Sequence, residues 1–122
     1  MIDLASYTDV QLWSGFIITE VQLTREPIVD ALGREAIAQT RCIGKNLRPF
    51  IRFGMSEQEL SVTLYHEILE AATVASSHPP ASVLDFNEAD FERAGYAMHE
   101  KFGEASPENL NRMLQFYGFR EQ

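Results

Sequence analysis

A single cysteine, Cys42, stands in 122 residues. With no second thiol there is no internal disulfide and no cysteine-based zinc cage, so any metal site must be built from His and carboxylates. Basic residues are scarce too: ten Lys and Arg against eighteen Asp and Glu give a formal net charge of -8, and the ten form no run. A chain of that sign repels nucleic-acid backbones, which argues against nucleic acid as a partner, and it suits a cation better. No stretch approaches the roughly 20 apolar residues of a membrane span. The opening "MIDLASYTDVQLWSGF" lacks the basic start and apolar run of an export signal. The expectation is a cytoplasmic protein that does not enter a membrane. A Gly-rich phosphate loop, a Ser/His/Asp nucleophile signature and the paired Glu-x-x-His of a di-iron bundle are also missing.

What is present suits one compact domain over residues 1–122, because this length can bury a real core but not two. At 45% hydrophobic and 23% charged residues the composition is that of a folding chain and not of a disordered one.

The β-branched run Gly15 to Thr24 reads as a strand closed by Arg25-Glu26-Pro27. "IVDALGRE" reads as a short connection, and "EAIAQTRCI" and "LRPFIRF" as two more strands joined through Gly44-Lys45-Asn46. Pro49 cannot donate to a ladder, which predicts an edge or a bulge for the last strand. At Met55 the period changes. Ser56 with Glu59 forms a capping box that opens a helix to about Ser76, its apolar stripe being Leu60, Leu64, Ile68, Ala71 and Ala75, flanked by Tyr65, Leu69, Ala72 and Val74. Pro79 and Pro80 break the pattern; Asp85 or Asn87 caps a second helix that Gly103 stops near Phe102. Ser106-Pro107-Glu108 opens a short third helix ended by Gly118. Strands first and helices after predict an α+β fold, a small antiparallel sheet of about three strands followed by two or three helices.

Chemistry concentrates on the first helix. His66 and Glu70 are four positions apart and so neighbours on one face, while Glu67 is turned by about 100° toward the apolar side. Two ligands at i and i+4 with a carboxylate between them, able to take a proton from an attacking water, is the logic of a His-Glu-x-x-His metal helix. A stripe of Glu59, Thr63, His66 and Glu70 is also what the wet side of an amphipathic helix looks like. The stripe is narrow, however, which places His66 and Glu70 in a slot where polar groups want partners. Acid returns at "NEAD", where Glu88 stands eighteen positions after Glu70. Glu92 and His99 share a face with Glu88, but on geometry one ion cannot take both Glu88 and His99, about 16 Å apart along the axis. Without a metal, Glu88 would be a first-turn acid favoured by the helix dipole, and His99 an exposed imidazole. Cys42 reads as a small buried hydrophobe, Trp13 as a core anchor and His78 as a turn residue.

"HEILE", preceded by "PFIRFGMSEQELSVTLY" and followed by "NEAD", resembles the minimal zincin-like metallopeptidase domains of bacterial and phage proteins, with a second-helix glutamate as in gluzincins. The likeness covers about Pro49 to Phe102. It implies a zincin-like core, zinc as cofactor, His66, Glu70 and Glu88 as ligands, Glu67 as general base and a peptide or protein segment as substrate. Glu70 stands where the family's main pattern has a second histidine. One imidazole with two carboxylates neutralises a divalent cation and hardens its surroundings, which favours Mn or Fe more than a two-histidine site does and implies weaker or altered hydrolysis. The alternative expectation is a non-catalytic interaction module on a degenerate zincin scaffold, with Glu70 paired to Arg48, Arg52 or Arg93.

Overall fold

A computed structural model describes residues 1–120 and has the expected α+β organisation. The strands are β1 (Val10–Gln11), β2 (Ile17–Ile18), β3 (Gln22–Thr24), β4 (Ile28–Val29), β5 (Glu35–Ala36), β6 (Ala38–Ile43) and β7 (Asn46–Arg52). The helices α1 (Glu57–Ala75), α2 (Glu88–Phe102) and α3 (Pro107–Phe116) follow.

The sheet departs from the three-stranded antiparallel expectation: it is five-stranded and mixed. β6 runs antiparallel to β7, whereas β2 and β3 both lie parallel to it, at Asn46–Leu47 and Phe50–Arg52 respectively, and β1 pairs antiparallel with β2. The run Gly15 to Thr24 is therefore two strands with a break, and "IVDALGRE" is a separate β4–β5 hairpin instead of a bare connection. Asp30 organises that hairpin's turn by accepting from the N–H groups of Leu32 and Arg34, both at 2.9 Å.

Pro49 is central and not at an edge, for a reason visible in the ladder. The carbonyls of Lys45 and Leu47 accept from Ile17 and Thr19. Alternate residues of a strand present their backbone groups to the same side, so position 49 faces that side as well. There β2 has ended at Ile18 and β3 begins only at Gln22. The missing N–H falls in the gap between two short strands.

All three helix starts are where side-chain chemistry predicts them. Ser56 Oγ accepts from Glu59 N at 3.2 Å while Glu59 Oε1 accepts from Ser56 N at 3.3 Å. Asn87 and Asp90 repeat the exchange at 2.9 Å each way, and Ser106 caps α3. Leu64, Tyr65, Ile68, Leu69 and Ala72 of α1 are fully buried against the sheet and the other helices, each large apolar side chain contributing about 1.5–3 kcal/mol. Val74 leaves that pattern and is 73% exposed. Trp13 packs on the core and donates its indole N–H to the Phe119 carbonyl at 2.7 Å.

α2 approaches α1 unusually closely at one point. A β-carbon on Gly95 would stand 2.7 Å from the Val62 carbonyl oxygen and 3.3 Å from His66 Cβ. Only glycine permits that approach, and it sets the distance across which the two helices share a site.

Candidate metal centre

Three donors ride on consecutive turns of α1. One ligand atom from each of His66, Glu67 and Glu70 lies within 4.8 Å of the others, a group that could hold a metal ion. Glu88, the first residue of α2, reaches across from the antiparallel helix: its Oε1 is 2.9 Å from His66 Nε2. The four side chains named from the sequence, His66, Glu67, Glu70 and Glu88, thus converge.

Their protonation is strained by crowding. Burial, a side-chain hydrogen bond with Glu88 and then the charges of Glu88 and Glu67 push the Glu70 carboxyl up to about 8. Glu67 is 5% exposed, and burial raises its pKa against the opposing pull of His66 and of a hydrogen bond from Thr40. That bond, Thr40 Oγ1 to Glu67 Oε1, is 2.9 Å, and it leaves Glu67 Oε2 4.0 Å from His66 Nε2. His66 Nε2 is itself shut off from solvent and makes no hydrogen bond, although Glu88 Oε1 stands 2.9 Å away. A buried ring nitrogen without a bond costs free energy, and carboxylates packed together resist ionisation. Both penalties are relieved by a cation, so the donor set fits one.

Thr40 was not singled out by sequence reasoning. The available signal was strand alternation, which places Ala38, Thr40 and Cys42 on one face of β6. That face borders the cluster, and the thiol of Cys42 is consequently exposed in the groove and not buried in a core. Burial, then Glu67 and Glu70, raise its pKa.

The other candidates lie elsewhere or at the margin. His99 is not a free surface imidazole: its Nδ1 shares a hydrogen bond with Ser61 Oγ at 2.7 Å, and that oxygen also accepts from Ala105 N at 2.8 Å. Glu92 lines a cavity of about 260 Å3 beside the cluster, together with Ile37, Met55, Val62 and Tyr96. A second cavity of about 650 Å3 extends from Glu67, Glu70 and Glu88 past Cys42 to Val74 and Arg34. Arg48, Arg52 and Arg93 do not pair with Glu70; they bind Glu20, Glu35 and Asp90.

No helix is long and apolar enough to cross a membrane among the described residues. No family model, no curated protein and no solved structure matches this chain.

Proposed function

We propose that the domain is a metal-dependent hydrolase of the zincin-like kind, holding a divalent cation on His66, Glu70 and Glu88 and cleaving a peptide bond with Glu67 as the base. The observation that carries this reading is the unbonded, solvent-shielded Nε2 of His66 among three carboxylates. Zinc, manganese or iron, when bound, would act as a Lewis acid on the scissile carbonyl and on the attacking water.

The chain's own residues do the rest. Thr40 occupies one oxygen of Glu67 and turns the other toward the cluster. Burial lifts the proton affinity of Glu67, which suits a group that takes a proton from water and returns it to the leaving amine. β6 pairs with β7 on one side only, and its free edge offers N–H and C=O groups to an extended peptide segment as an added strand. A cytoplasmic peptide or protein segment is the substrate class this arrangement suits.

The test is elemental analysis of protein purified without chelators, beside His66→Ala, followed by a peptide-library screen of wild type and Glu67→Gln. The reading expects near-stoichiometric metal that His66→Ala loses, and cleavage that Glu67→Gln abolishes with metal retained. Absence of metal after reconstitution sinks the site. Metal with no cleavage in either protein sinks the hydrolase and leaves a metal-binding interaction module.

A further inference from the structure

The far end of α1 carries a cavity of opposite character. Beyond Ala75, the β6–β7 turn and the segment after α3 border an open cleft of about 340 Å3, lined among others by Ser14, Lys45, Ser77, His78, Phe119 and Arg120. The chain has nearly twice as many acids as bases, and both cavities at the metal cluster contain carboxylates. This one has none among its described lining residues.

Its donors are available. The Lys45 ammonium spends one N–H on the Ser14 carbonyl at 2.7 Å and sits 5.2 Å from the Phe16 ring centroid, which fixes it and leaves two N–H groups. Arg120 and His78 are exposed and make no ion pair among the described residues. The carbonyls that end α1 do not compete for these cations at Ala72 and Thr73, because Ser76 donates its hydroxyl to the first at 2.8 Å and its N–H to the second. Ser14 is held at φ 68, a left-handed conformation unusual for a residue with a side chain. Its carbonyl thereby meets Lys45 while its hydroxyl donates to the Arg120 carbonyl. Such strain persists where surroundings impose it, and it concentrates at binding sites.

We propose that this cavity binds a phosphate group, free or as the monoester of a small molecule. An ammonium and a guanidinium match the charge of a phosphate dianion, and with an imidazole from a third segment they offer donors to several of its oxygens. The volume is at the small end of ligand pockets, and Phe119 and Pro80 give an apolar wall to the carbon part of an ester. A compact dianion can enter locally where a nucleic-acid backbone meets the field of the whole acidic chain.

The test is an amide NMR titration of the full chain near neutral pH with inorganic phosphate, with phenyl phosphate and with sodium chloride at matched ionic strength. Saturable shifts at Ser14, Lys45, Ser77 and His78 are expected. Lys45→Gln and the exposed Arg120→Gln should each weaken binding roughly tenfold, the loss of one charge-assisted hydrogen bond. Tighter binding of phenyl phosphate identifies an ester as the ligand, and equal binding identifies phosphate itself. Shifts that chloride reproduces, a titration that does not saturate, or unchanged affinity in both variants overturns the proposal.

Discussion

Replacing Glu70 by glutamine should stabilise the metal-free protein at alkaline pH while costing it the metal. The carboxyl of Glu70 is raised from 4.5 to about 8, so the folded state binds its proton more tightly than the unfolded state does. For an acid shifted in that direction, stability is fully present below the unfolded value and falls as pH rises through the window between the two. The full shift would correspond to a ceiling of about 5 kcal/mol. Glu70 is only half-buried, and solvent screening reduces the expected penalty to about 1–2 kcal/mol. Glutamine keeps the shape and never ionises. Urea unfolding in chelator from pH 5 to pH 9 should therefore show wild type losing stability relative to Glu70→Gln, with the curves converging at the acid end. Added divalent cation should reverse the order, since an amide oxygen is a poorer ligand than a carboxylate. Parallel pH profiles, or a variant weaker than wild type above about pH 8 without metal, would refute the assignment of crowding at Glu70.

Gly95→Ala puts a β-carbon 2.7 Å from a backbone oxygen that cannot rotate away. Thermal or chemical denaturation should show a loss of about 1–3 kcal/mol, together with weaker metal binding as α2 shifts and carries Glu88 with it. Thr40→Val removes the hydroxyl that holds the buried Glu67 carboxylate at 2.9 Å and should cost about 1–3 kcal/mol above the Glu67 pKa. Thr40→Ser should restore stability and, on the proposed hydrolase reading, any cleavage lost with it, which an effect of volume alone would not. Ser56→Ala breaks the capping box of α1 and should lower stability by about 1 kcal/mol in a melt, with metal content unchanged.

The helices were legible because their ends are written in local chemistry. Ser56 with Glu59 and Ser106 before Pro107 fixed two starts within a residue, and the choice between Asp85 and Asn87 for the third was decided by the exchange of Asn87 with Asp90. The sheet was not, because β1 to β5 are two or three residues each and too short to show a period. Parallel pairing of β2 and β3 with β7 is a long-range choice that no turn residue announces. Pro49 misled for the same reason: a break in the neighbouring strand excuses a missing donor, and that break lies about thirty positions earlier in the chain. At the site, helix spacing alone put His66, Glu67 and Glu70 together. Glu88 was named from the return of acid at "NEAD" and the resemblance it carried; Gly95 inside a helical pattern, where glycine costs about 1 kcal/mol and so points to a close approach, was a signal that went unused. His99 and Cys42 were misjudged because burial of a single side chain depends on what packs across from it, Ser61 in one case and an open groove in the other.

Three of the four converging donors belong to one helix, and the fourth is the first residue of another. Terminal turns open far more readily than helix interiors, and opening the first turn of α2 swings Glu88 away without disturbing the packed part of α1. Entry and departure of an ion would then need only the exposed start of α2 to fray, ahead of the buried Phe91. Occupancy would pin that start in place, and amide exchange at Ala89 and Asp90 should slow when the site is filled, turning the start of α2 into a reporter of what α1 holds.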